Sequence, residues 1–166
     1  GLVGFGAIAR EVARRAGALG MSVIAFDPFL PADHAAWKGV GNRSLDALLT
    51  EADVVSLHTP LTTETRHMID GKVLELMKDS AVLINAARGG VVDEDALCAA
   101  LKAGKLAGAA LDVFEKEPLD AESGRRFAGI GNLVLTPHIA GFTEESNVRV
   151  SRVTAEAVLK HLRGNS

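Results

Sequence analysis

The sequence predicts an α/β fold: a doubly wound parallel sheet of about six strands, with helices on both faces. Three observations predict it. Short apolar runs alternate with helical patterns along the chain. The runs are apolar on consecutive residues rather than alternately, as strands buried on both faces must be. No hairpin turn joins any two of them, so each connection is a crossover. The length of 166 residues fits one domain, which at this size buries roughly 70% of its unfolded surface.

The first run ends at Val3 and Gly4, so that only Leu2 and Val3 precede a glycine-rich turn; the chain is expected to begin inside its own first strand. Residues 7–19 follow as a helix, with Ile8, Val12, Ala16 and Leu19 on one predicted packing face and Arg10, Glu11, Arg14 and Arg15 elsewhere. The next strands are expected at 22–26 (SVIAF), 53–57 (DVVSL), 81–84 (AVLI), 107–111 (AGAAL) and 133–135 (LVL). Ser44 is positioned to cap a helix over 45–49, and Asp70 one over 73–78. Asp93 caps a helix reaching Ala103, with Val92 and Leu97 as a hydrophobic staple and Gly104 closing it. Residues 115–132, rich in charge and glycine, are expected to form a loop or short helix. Thr143 starts a last helix, on which Val150, Val153 and Ala157 share a face, ending near Gly164.

Composition narrows the function. Hydrophobic residues are 48% and charged ones 23%, with a formal net charge of −3. A general nucleic-acid or anionic-membrane binder would carry a basic excess. The single cysteine, Cys98, rules out an intramolecular disulfide and a Cys-rich zinc site, and fits a reducing, cytoplasmic setting. No metal site is expected. No apolar stretch reaches 18 residues without charge or glycine, so no membrane span is predicted.

The chemistry gathers at the strand ends. Gly4-Phe5-Gly6-Ala7-Ile8-Ala9 reads G-x-G-x-x-A, the variant dinucleotide fingerprint of a Rossmann-type sheet. Gly4 allows the tight turn, Gly6 lets the backbone approach a pyrophosphate at the helix N-terminus, and Ala9 permits close helix–strand contact. Asp27 ends the second strand about 20 residues on, where a carboxylate bonds the adenosine ribose and repels a 2′-phosphate, favouring NAD over NADP. The bland alternative makes it a turn residue before Pro28. Later strands run into His58 and Thr59, into Asn85-Ala86-Ala87-Arg88, into Asp112, and into Thr136-Pro137-His138. In a parallel sheet these ends share one rim, so Asp27, His58, Arg88, Asp112 and His138 converge. Each has a plainer reading: His58 as a satisfied buried histidine, Arg88 paired with Asp93 or Asp95, Glu115 and Glu117 as a solvated loop pair. Together, Arg, His and a carboxylate beside a nicotinamide suggest hydroxy-acid oxidation. Arg would hold the substrate carboxylate, His would exchange the hydroxyl proton, and the carboxylate would steady the imidazolium.

Five stretches then carry a resemblance: 4–9 with Asp27, 58–62 (HTPLT), 84–95 (INAARGGVVDED), 110–119 (ALDVFEKEPL) and 136–141 (TPHIAG). In this order they resemble the D-isomer-specific 2-hydroxyacid dehydrogenases, the phosphoglycerate dehydrogenase branch most of all. The resemblance implies an NAD-linked D-2-hydroxyacid dehydrogenase, a catalytic trio of Arg88, Glu117 and His138, and Glu115 on the solvated side of its loop. It also implies cofactor contacts from Gly4, Gly6, Ala7, Ile8, Asp27, Thr59, Ala86, Ala87, Arg88, Asp112, His138, Ile139, Ala140 and Gly141. Residues 1–166 then correspond to the NAD-binding domain, and the family's substrate-side domain lies outside this chain. A homodimer is expected, since the helix after Asp93 and the strand at 107–111 carry more apolar surface than a sheet face requires. The substrate stays open among phosphoglycerate, glycerate, lactate-like and hydroxypyruvate-type acids. The alternative from another class is an NAD-binding module without turnover of its own.

Overall fold

The computed structural model describes residues 1–164. Seven strands form one sheet: β1 (Leu2–Val3), β2 (Ile24–Phe26), β3 (Gly41–Asn42), β4 (Val54–Leu57), β5 (Val82–Asn85), β6 (Gly108–Leu111) and β7 (Leu133–Leu135). Their order is β3-β2-β1-β4-β5-β6-β7, and every pair is parallel. The order reverses between β1 and β4, which creates a crevice at the carboxyl ends of those strands. The seventh strand, absent from the expected six, is the edge strand β3. It has no apolar run to betray it and is held through backbone bonds, Gly41 N to Val23 O and Arg43 N to Ala25 O, each 3.0 Å.

The helices are α1 (Ala7–Ala18), α2 (Leu45–Glu51), α3 (Gly71–Leu74), α4 (Glu94–Lys102), α5 (Ala121–Gly124) and α6 (Glu144–Gly164), with 3-10 turns at Ala35–Trp37 and Arg125–Phe127. Side chains cap α2 to α5: Ser44, Asp70, Asp93 and Asp120 each accept an amide hydrogen bond from the first turn. Thr143 and Ser146 exchange reciprocal bonds at the start of α6. The predicted caps therefore stand, although the helix expected over 73–78 is the shorter α3.

Leu2 and Val3, adjacent on β1, enter different hydrophobic clusters, so the core lies on both faces of the sheet. The larger cluster packs Leu48 and Leu49 of α2, Leu74 of α3 and Leu97, Cys98 and Leu101 of α4 on Val55, Leu57, Leu83 and Leu111. Truncating one such buried Leu to Ala costs about 2–5 kcal/mol. In the smaller cluster, Phe5 of the glycine-rich turn stacks on Trp37 with ring centroids 5.0 Å apart.

Two packing expectations are corrected here. The buried stripe of α1 is Ala9 and Ala13, whereas Ile8 and Leu19 are exposed. Val12 of the predicted face packs, partly buried, against the same cluster. On α6, Val150 and Val153 are exposed, and no described side chain of that helix is buried.

Candidate active site

Gly4 adopts φ +86°, and a Cβ there would stand 2.9 Å from the carbonyl oxygen of His58. Glycine is thus required both by conformation and by the close approach of the two strand ends. Gly6 differs: a Cβ there would meet open space. It is the N-cap of α1 and provides no side-chain cap, and the first turn carries no acidic residue. Among the α-helices of the described residues, α1 is the one whose leading amides are left without a side-chain acceptor. An uncapped N-terminus beneath open space fits a pyrophosphate, which accepts from those amides and is drawn by the helix dipole.

Asp27 follows β2 and faces this turn. Its Oδ2 accepts from Phe5 N at 2.8 Å and its Oδ1 from Phe29 N at 2.9 Å. The carboxylate therefore braces the glycine-rich turn, and each oxygen keeps a further lone pair for a ribose hydroxyl. His58 follows β4, where its Nε2 lies 3.1 Å from Ser56 Oγ and burial pushes the imidazole pKa down. That partner and that partial burial match the plainer reading of a satisfied histidine. Thr59 supports the turn, its Cγ2 lying 3.2 Å from the Cβ position of Gly4.

The loop after β5 carries Ala86, Ala87 and Arg88. Its brace is Asn85, a buried residue whose role was not read from the sequence: its Nδ2 donates to Arg88 O at 3.0 Å, and its Oδ1 accepts from Ala87 N at 3.1 Å. The Arg88 side chain is exposed and bonds Ala87 O at 2.6 Å. No ion pair joins it to Asp93 or Asp95 among the described residues, so the guanidinium is available at the rim.

The loops after β6 and β7 meet through two carboxylates. Asp112 accepts from Thr136 Oγ1 at 2.5 Å, Ile139 N at 2.9 Å and Ala140 N at 2.9 Å. Burial pushes this carboxyl pKa up, but the three hydrogen bonds and the neighbouring His138 outweigh it and hold it below the usual range. The turn so fastened places His138 at φ 55°. Its Nδ1 lies 2.8 Å from Glu117 Oε2, while Glu117 Oε1 accepts from Phe114 N at 2.9 Å. Against the upward push of burial, those two bonds hold Glu117 low. With Nδ1 engaged by Glu117, the free ring atom is Nε2. Glu117 and His138 also line a cleft of about 650 Å³ with apolar Phe114, Leu119, Leu135 and Pro137.

Glu115 has partners that the sequence did not indicate. It is exposed, as expected, but not free: its Oε1 accepts from Glu94 N at 3.1 Å and stands 3.2 Å from His67 Nε2. The expected excess of apolar surface is corrected, since Leu97, Cys98, Leu101, Ala109 and Leu111 are already buried within the chain. Among the described residues no group of three or more His, Cys, Asp or Glu could hold a metal, and no helix is long and apolar enough to cross a membrane.

Comparison with known proteins places this geometry. Residues 1–140 match the D-isomer specific 2-hydroxyacid dehydrogenase, NAD binding domain. The chain is 56% identical over 163 residues to (S)-sulfolactate dehydrogenase of Chromohalobacter salexigens, covering 98% of this chain and 52% of that one. Identity to D-3-phosphoglycerate dehydrogenase of Archaeoglobus fulgidus is 44% over 164 residues, covering 99% and 31% respectively. The D-lactate dehydrogenase of Aquifex aeolicus, solved with NAD and lactic acid, superimposes with a TM-score of 0.87 at 38% identity, covering 98% of this chain and 53% of that one. The chain thus spans about half the length of such relatives, or less. With its parallel sheet, uncapped α1 and strand-end residues, it belongs to the D-isomer specific 2-hydroxyacid dehydrogenase family, as the NAD-binding domain.

Proposed function

We propose that the protein containing this chain interconverts a D-2-hydroxy acid and its 2-keto acid with NAD(H), and that Arg88, Glu117 and His138 carry the chemistry. The observation that carries this reading is the pairing of His138 Nδ1 with Glu117 Oε2 at 2.8 Å, on loops that leave the carboxyl edge of the sheet. Bound NADH supplies the hydride. Arg88, exposed at the end of its braced loop, holds the substrate carboxylate by charge-assisted hydrogen bonds. His138 donates a proton from Nε2 to the carbonyl oxygen as charge develops there. Glu117 orients the ring through Nδ1 and stabilises its cationic form, as the carboxylate does in other His–carboxylate pairs. In the oxidation direction Nε2 takes the hydroxyl proton.

The same reading assigns cofactor contacts to Gly4, Gly6, Ala7 and Ile8 at the α1 N-terminus, Asp27 at the ribose, and Thr59, Ala86, Ala87, Arg88, Asp112 and residues 138–141 along the rim. It includes preference for NAD over NADP, a cytoplasmic location and a homodimer, the last supported by the family resemblance. For the 166-residue chain by itself the second reading is an NAD-binding module without turnover. Titrating the chain with NADH, and assaying it beside the full gene product against a panel of 2-keto acids, separates the two. NADH binding by both and turnover by the full product alone is the expected outcome. A full product that oxidises NADH with none of these acids contradicts the enzymatic assignment.

A further inference from the structure

The Glu94–Glu115 pair is not used by the chemistry above, and its construction is unusual. Glu94, the first residue of α4, is 4% exposed, a costly place for a carboxyl group without partners. Its Oε1 accepts from Glu115 N at 2.6 Å, and Glu115 Oε1 accepts in return from Glu94 N at 3.1 Å. Each glutamate thus binds the other's backbone across 21 residues of sequence. A basic side chain stands at each end. Arg126 Nη1 is 3.3 Å from Glu94 Oε2 and 3.3 Å from Asp95 Oδ1. His67 Nε2, shielded from solvent and off the hydrogen-bonding line, is 3.2 Å from Glu115 Oε1.

The pair sits where three strand-end loops touch. His67, at φ 51°, donates its backbone N–H to Gly90 O at 2.7 Å, two residues beyond Arg88. A Cβ on Gly89 would collide with the carbonyl of Phe114. Phe114 in turn donates its N–H to Glu117. Resting on the proposed roles of Arg88, Glu117 and His138, we propose that Glu94 and Glu115 are positioning residues: their reciprocal clasp, closed by Arg126 and His67, sets the loop bearing Glu117 against the loop bearing Arg88. Backbone N–H groups at a helix start and in a tight loop need fixed acceptors, and each glutamate supplies one to the opposite loop.

The test uses the full gene product carrying Glu115→Ala, Glu115→Gln, Glu94→Ala or Glu94→Gln. Three quantities are read: kcat and KM for the keto acid, the NADH dissociation constant, and the downfield proton resonance of His138 Nδ1, which reports its bond to Glu117. A misplacement of about 1 Å costs on the order of 10²-fold in rate. The alanine variants are expected to lose about 10- to 100-fold in kcat and to lose or broaden the resonance. Their NADH affinity should stay within about twofold. The glutamine variants keep an amide oxygen as acceptor and should recover most of both signals. Where an alanine variant does not fold, the aspartate variant, one methylene shorter, tests the same position with the same expected loss.

Alanine variants with unchanged kcat and an intact resonance would overturn the clasp. So would a kcat loss matched by an equal loss of NADH affinity, or glutamine variants no better than alanine. A wild-type protein without turnover, whose resonance is still lost in the alanine variants and kept in the glutamine ones, would instead overturn the enzymatic reading and leave the clasp standing.

Discussion

His138 Nδ1 lies 2.8 Å from Glu117 Oε2 while the His138 backbone sits at φ 55°. For a residue with a Cβ that conformation costs roughly 1–2 kcal/mol, and Asp112 offsets it by gathering Thr136, Ile139 and Ala140 around one carboxylate. Two acids thus divide the work: Asp112 holds the backbone turn, and Glu117 holds the ring.

Asp112 and Glu117 should make stability depend on pH in a defined direction. Both carboxyl pKa values are depressed in the folded protein. The unfolded chain therefore binds more protons in acid, and stability rises with pH there. The contribution is fully present above the ordinary carboxylate values of about 4 and is lost as pH falls through the folded values. Urea unfolding of the chain between neutral and acid pH measures the slope. Asp112→Asn should flatten it and destabilise the neutral protein by about 1–3 kcal/mol, because an amide NH₂ must face one of three donors. An unchanged slope in that variant would remove Asp112 from its structural role.

Asp27 braces the glycine-rich turn through Phe5 N, and at the proposed ribose contact its carboxylate would repel a 2′-phosphate, so NADH should bind more tightly than NADPH. Fluorescence titration of both in one buffer reads the ratio. Asp27→Ser should narrow it by removing the charge and weakening the ribose bonds. Equal affinities in the unaltered chain would sink the assignment.

Gly89 has no room for a methyl group beside the Phe114 carbonyl. Gly89→Ala must push the Arg88 loop and the Glu117 loop apart, with a cost of about 1–3 kcal/mol for forced overpacking. A drop in melting temperature together with reduced turnover of the intact protein is the expected pattern. A variant with unaltered stability and turnover contradicts the close approach.

The homodimer is checked by light scattering of the intact protein at micromolar concentration. The expected mass is twice that of one full-length polypeptide. A monomer throughout that range argues against assembly.

Much of this was legible in the sequence because burial on both sheet faces writes itself as consecutive apolar residues, as in VVSL of β4 and VLIN of β5. Strand ends could then be located, and with them Asp27, Arg88, Asp112 and His138. What escaped was set by distance rather than pattern. In β3 there is only a Gly-Asn pair, with nothing apolar to read. Hydrophobicity ranks Ile8 above Ala9, but Ala9 is the one buried in the core and Ile8 the one exposed. Glu115 is exposed, as its charged neighbours in sequence suggest, but its partners Glu94 and His67 come from other loops. Asn85 closes a strand with an ordinary polar side chain, and its two bonds to the Arg88 loop exist only in three dimensions.

The central claim, that the imidazole of His138 moves the proton, is tested most directly by His138→Ala in the full gene product, with turnover and NADH binding measured on the same preparation. Loss of a positioned acid–base group costs about 10²–10⁴-fold in turnover. The account predicts a loss of that size with NADH affinity largely intact. Turnover close to that of the unaltered protein, or a loss explained entirely by failure to bind NADH, would contradict it.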